Sequence, residues 1–211
     1  MNRLLIFVSA ASILLSSAFA AETARADRVV LAPAGATLDP DDFKLEGLYS
    51  PYGGNQNREW LQYSSPRQIE LEYNRSGLRT DKVRHSFNIQ YPILTDLGAY
   101  PAISVGIRDI LGTGLERQAV YLAIGKTIGL SQRQEKLVRS LKLNVGYGTG
   151  YFSGGFVGIQ SRFRGGLHLD AEVYRNRPNV SLGLDITRNM QIKAYSLDGT
   201  VHYGLSFALI K

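Results

Sequence analysis

The chain has 211 residues, with 22 Gly, 12 Tyr and no Cys, and a formal charge of +6 from 24 Lys and Arg against 18 Asp and Glu. Without Cys there is no disulfide framework, no thiolate nucleophile, no Cys-ligated metal and no acylated Cys anchor. High Gly and Tyr argue against a helical bundle, and the modest positive balance suits anionic headgroups or acidic glycans better than nucleic acid.

The first predicted element is an export signal. Arg3 is its charged start, residues 4–15 form a mostly apolar run, and Ala18-Phe19-Ala20 is a small-x-small cleavage site. The run is shorter than the roughly 20 apolar residues of a spanning helix, so residues 1–20 are expected as a cleavable signal peptide. Residues 21–66 read as an irregular segment, with turns at Asp39-Pro40-Asp41-Asp42 and Ser50-Pro51-Tyr52-Gly53-Gly54-Asn55 and one short strand near 45–49.

From Gln68 onward the texture changes to period-two alternation, the mark of strands whose two faces meet different environments. Residues 67–211 therefore form the predicted β domain. Its apolar phase runs through Ile69, Leu71 and Tyr73, then His85, Phe87, Ile89 and Tyr91, and continues over 103–107, 120–124, 141–147, 154–163, 167–173, 180–186, 190–194 and 201–209. That makes about ten strands, within a range of eight to twelve. Turns such as Arg175-Asn176 and Asp198-Gly199 join them as an antiparallel up-and-down meander.

The opposite phase carries Glu70, Glu72, Arg84, Arg108, Lys142, Arg162, Asp170, Glu172 and Lys193. A soluble, secreted or periplasmic barrel binding a small apolar ligand would hide the apolar face and show these charges to water. An outer-membrane barrel inverts the faces, with lipid outside and charge within. Alternation alone does not choose between them. Three features favour the membrane: the export signal, the aromatics near strand ends (Tyr73, Tyr91, Tyr147, Tyr151, Phe152, Phe163, Tyr174, Tyr203), and a last strand, Val201 to Leu209, of the kind that ends such barrels.

One stretch is more specific. It reads Tyr100-Pro101-Ala102, then a strand ending Gly106-Ile107-Arg108-Asp109, a Gly112-Thr113-Gly114 turn, and a strand with Tyr121-Leu122-Ala123-Ile124-Gly125-Lys126. With Ser86 to Ile89 upstream and Leu143 to Gly148 and Gly154 to Gly158 downstream, it resembles the core of the YjbH family, outer-membrane proteins encoded with exopolysaccharide and capsule secretion genes. The likeness runs over about 86–172. It implies an outer-membrane transmembrane β-barrel serving exopolysaccharide or capsule export, with lipid, polysaccharide and other export proteins as partners. Members of that family are usually far longer and many are lipoproteins, a route closed to a chain without Cys.

Candidate chemistry is sparse. Gly112-Thr113-Gly114 lacks the Lys-Ser/Thr of a phosphate-binding loop and lies between two strands, so it reads as a structural turn anchored by Arg108 and Asp109. His168 with Asp170 could start a metal site, and His202 with Ser206 an acyl hydrolase, but neither set is complete. No catalytic residue, metal or cofactor is expected, and the protein is read as a non-enzymatic barrel. Arg108, Asp109, Lys142, Arg162, Asp170 and Glu172 are the candidate lumen or strand-end binding residues. The lumen charges are expected to pair across strands, since small barrels have filled interiors. A basic loop with Arg133, Lys136 and Arg139 is a further candidate for lipid phosphate or acidic glycan. The irregular segment is placed either in the periplasm or as a partial plug.

Overall fold

The computed structural model describes residues 28–51, 57–77, 83–96, 100–114, 117–129 and 137–209. The expected signal peptide, Arg133 and Lys136 lie outside these residues. The described chain forms twelve strands: β1 (Phe43–Tyr49), β2 (Arg58–Ser64), β3 (Glu70–Ser76), β4 (Arg84–Leu94), β5 (Ala102–Arg108), β6 (Ala119–Ile128), β7 (Val138–Gly148), β8 (Gly154–Phe163), β9 (Leu167–Tyr174), β10 (Arg177–Asp185), β11 (Met190–Leu197) and β12 (Thr200–Leu209). Each pairs antiparallel with its sequence neighbours, and β12 pairs with β1 to close the barrel. Twelve lies at the top of the predicted range.

Within the stretch expected to be largely irregular, β1 extends the one short strand expected near 45–49, and β2 is an additional strand. Their alternation is blurred by chemistry: Leu48 and Trp60 point inward and are buried, whereas Gly47 and Glu59 occupy the outward phase. The remaining strands follow the predicted phase, and burial settles which face is which. On β7 and β8, Val145 and Val157 are 46% and 48% exposed, whereas inward Asn144 and Gln160 are 0% and 3% exposed. The same inversion runs around the wall, from Leu45 on β1 through Leu122 on β6 to Leu205 on β12. A lipocalin-like barrel has the reverse arrangement. A ten-residue strand such as β8, tilted by about 40°, rises about 25 Å, the height of a barrel's lipid-facing band.

The aromatics divide between the two faces. Tyr91, Tyr147 and Tyr203 face outward and are exposed, as expected for rings at a lipid interface. Phe152 and Tyr174 instead turn inward, a correction to the expected belt, and are buried with ring centroids 4.8 Å apart. Phe152 also packs on Tyr121 and Phe156 at 5.7 and 6.0 Å. Space for Phe156 comes from Gly146 beside it, where a Cβ would lie 2.0 Å from the ring. These rings form an apolar cluster inside the lumen with Val29, Val30, Leu31 and Ala32 of the segment before β1.

Candidate functional site

Residues 28–38 occupy the lumen. Val29, Val30, Ala32, Pro33, Ala34 and Leu38 are buried there, although no strand of the wall pairs with them. A backbone in such a place needs partners for its N–H and C=O groups, and the inward side chains supply them. Residues 28 and 33 form an isolated antiparallel bridge, and Val29 N–H donates to the Ala32 carbonyl at 2.9 Å, making a tight hairpin.

Glu172 on β9 is the main clamp on that hairpin. Its carboxylate accepts the N–H groups of Val30 at 2.9 Å, Leu31 at 2.9 and 3.0 Å, and Ala32 at 2.8 Å, and also Asn179 Nδ2 at 2.9 Å. Arg108 Nη2 donates to the Leu31 carbonyl at 2.6 Å, and Gln160 Nε2 to that of Arg28 at 3.0 Å. The Arg28 guanidinium donates to Glu72 at 2.9 Å, lies 3.5 Å from Glu46, and stacks 4.1 Å over Trp60. Nearer the end where β1 begins, Gly35 N–H donates to Asn144 Oδ1 at 3.1 Å and Leu38 N–H to Glu70 at 3.0 Å. There the plug presses on the wall backbone to backbone: a Cβ on Gly35 would sit 2.0 Å from Gly125 N.

The lumen charges therefore satisfy two sets of partners, where cross-strand pairing alone was expected. Lys44 and Lys193 hold Glu46 at 3.2 and 3.1 Å, and Tyr195 donates to the same carboxylate. Arg162 pairs with Asp170, and His168 meets Asp185 at 2.7 Å. Glu70, Glu172 and Arg108, by contrast, hold the plug, and Glu72 holds both Arg28 of the plug and its cross-strand neighbours Gln62 and Asn88.

The six candidate binding residues do not form one site, although Arg108 and Glu172 meet on Leu31. Arg108 and Glu172 grip the hairpin and Arg162 with Asp170 forms a wall pair. Asp109 organises the following loop: at φ 50° it accepts Thr113 N–H at 3.1 Å and Gly114 N–H at 3.0 Å, while its own N–H donates to Asn88 at 2.7 Å. Gly112 in that loop has φ 68°, a value glycine adopts without steric cost. Lys142 stands apart, lining a cavity at the end where β1 begins and β12 finishes. That cavity has a volume of about 590 Å³, with Asp39, Gln68, Asp96 and Thr127 among its walls. At the far end a second cavity, about 390 Å³, opens over Leu31 of the plug. The plug separates the two vestibules.

Of the metal and hydrolase pairings raised by the sequence, His168 is engaged by Asp185, and His202 Nδ1–H donates to the Thr200 carbonyl at 3.1 Å. Among the described residues, no three His, Cys, Asp or Glu side chains are grouped to hold a metal. Arg139, from the basic loop, belongs to β7 and is exposed.

Sequence reasoning passed over Asp96, which fastens the loop after β4 to the end of β6. Its carboxylate accepts Thr127 N–H at 2.8 Å and Lys126 Nζ at 3.2 Å. Burial pulls its pKa upward, but these hydrogen bonds and the Lys126 charge outweigh that and hold it below the ordinary carboxylate value. Because the folded value is depressed, the stabilisation is present above the unfolded pKa, about 3.9, and is lost as pH falls through the folded value. Amide exchange at Thr127 is expected to stay slow at pH 5 and to quicken relative to neighbouring amides below about pH 4, a step that Asp96→Asn removes.

The YjbH family model, described as exopolysaccharide biosynthesis protein YbjH, matches residues 59–182, from β2 into β10. The chain belongs to the YjbH family. No curated protein matches it. Among solved structures, the KdgM porin in complex with disordered oligogalacturonate aligns with a TM-score of 0.54 at 9% identity, over 81% of this chain and 99% of that one. The Acinetobacter baumannii outer membrane protein Omp33 aligns at 0.47 with 8% identity, over 81% and 97% of the two chains. At 9% identity the likeness to the KdgM porin concerns the fold, a barrel of the outer-membrane type. The YjbH match also covers the Asp109 to Gly114 loop and the Glu172 clamp.

Proposed function

We propose that this YjbH-family protein is a non-enzymatic, plugged barrel of the bacterial outer membrane that acts as an accessory component of exopolysaccharide or capsule export. It works by scaffolding or by contacting glycan at its mouths, and the glycan does not pass through its own lumen. The observation that carries this reading is the occupation of the lumen by residues 28–38, with three consecutive N–H groups bound to Glu172. The void flanking that segment at Arg28, Glu46 and Lys193 is about 40 Å³, space for water and not for a sugar residue. The family description supports the connection to exopolysaccharide, and the apolar exterior supports the membrane.

The test is deletion of the gene followed by measurement of secreted and cell-associated polysaccharide. Secretion is expected to fall and to recover on complementation. Unchanged secretion in a strain lacking any second family member would reject the export role.

A further inference from the structure

We propose that the vestibule at the far end of the barrel binds an oxyanion carried by a saccharide, the carboxylate of a uronic acid residue in an acidic chain. This names a ligand class for the export reading and rests on it for the source of that chain.

The cavity of about 390 Å³ is lined by three arginines, Arg58, Arg175 and Arg177, and by one acid, Asp198. Its volume is that of a small-ligand site. Arg58 opens β2, Arg175 is the first residue of the turn between β9 and β10, and Arg177 opens β10. With β1, β12 and β11 lying between β2 and β10 in the wall, the three arginines line the cavity from different sides of the mouth. Asp198 lies 2.8 Å from Arg177, so cations outnumber acids among the lining residues. Like charges gathered around one concavity raise its potential and attract an anion, and the planar guanidinium fork matches a carboxylate with two parallel hydrogen bonds. Leu31 of the plug closes the cavity from below, which makes it a docking pocket and not a passage.

A second observation comes from the backbone. Arg175 and Asn176 form a two-residue turn with φ 53° and 57°. Hairpins with both central residues in the left-handed region favour Asn, Asp or Gly at the first position, and the β11–β12 turn obeys this with Asp198 and Gly199 at φ 50° and 78°. A long side chain in that region is uncommon. Its presence at a turn that lines the cavity fits strain retained for binding.

The test uses the purified full barrel in lipid nanodiscs, titrated calorimetrically with a uronic acid oligosaccharide and with its carboxyl-reduced neutral counterpart. The acidic chain is expected to bind at least about tenfold more tightly and to weaken as salt is raised. Arg175→Asn suits the turn better than arginine, so it is expected to keep or raise the melting temperature while weakening binding by about tenfold. Arg58→Gln should weaken it similarly without touching that turn. Asp198→Asn, also compatible with its turn, should release Arg177 and tighten binding. Equal affinity for the acidic and neutral chains, or for the wild type and Arg175→Asn, would overturn the site. A third titration uses nanodiscs containing lipopolysaccharide. Binding abolished there would reassign the site to a lipid-borne sugar phosphate and overturn the soluble acidic chain as its ligand. Because binding is read on the purified barrel, its failure leaves the export role standing, whereas unchanged secretion after deletion removes the export role alone.

Discussion

Glu172→Ala is expected to turn a silent barrel into a conducting one. In the wild type the carboxylate accepts the N–H groups of Val30, Leu31 and Ala32, and replacing it leaves those three donors buried against a smaller side chain. A buried donor without a partner costs about 1–3 kcal/mol. Losing the set at about 1 kcal/mol each shifts the seated-to-unseated ratio of the hairpin by about two powers of ten. The wall does not depend on the contact, because β9 keeps its full ladders with β8 and β10. Heat-modifiable gel migration should therefore be retained. In planar bilayers the wild type is expected to show little current, and Glu172→Ala frequent openings. Glu172→Gln keeps one acceptor oxygen and should lie between them. If Glu172→Ala folds but stays as silent as the wild type, with the Leu31 amide still protected from exchange, the clamp is not what seats the plug.

That clamp was partly visible beforehand. Alternation placed Glu172 on the charged face, and that face is inside. In register, however, the residues opposite Glu172 are Gly158 on β8 and Asn179 on β10, so neither neighbour offers a cation. An inward carboxylate with a glycine on one side marks both missing charge and spare room, which Val29 fills: a Cβ on Gly158 would meet it at 2.7 Å. The plug itself carries no periodicity, because Val29 to Leu38 satisfies its backbone with distant side chains and repeats no pattern of its own. β2 escaped, and β1 was legible only as one short strand near 45–49, for a related reason. Leu48 and Trp60 pack against the plug and its aromatic surroundings, so on those two strands an apolar residue interrupts the inward polar series of Lys44, Glu46, Gln62 and Ser64 and the period-two contrast weakens. Elsewhere the contrast between lipid and a polar lumen is strong, and the strands were legible almost residue by residue. The two vestibules were not, since they are assembled from turns and strand ends whose neighbours only the closed barrel defines.

Leu182→Arg is expected to cost about 2–4 kcal/mol of stability in a bilayer, the penalty for a cation on the lipid face near the midplane. Leu182 lies in the middle of β10, is 49% exposed, and faces out beside Leu169 on β9 and Ala194 on β11. Depth sets the size of the effect. Val201, also outward but second in β12 at the far end, should tolerate arginine at about 0–1 kcal/mol, because a long side chain there reaches the headgroups. The pair is compared by urea unfolding in lipid vesicles, with the fraction of folded, heat-modifiable barrel as readout. In a water-soluble barrel the same exposed leucine would meet solvent, and arginine would leave stability nearly unchanged while improving solubility. A Leu182→Arg protein that folds in detergent-free buffer with wild-type stability would therefore reject the membrane assignment. A loss graded with depth is the outcome that only a lipid-facing exterior produces.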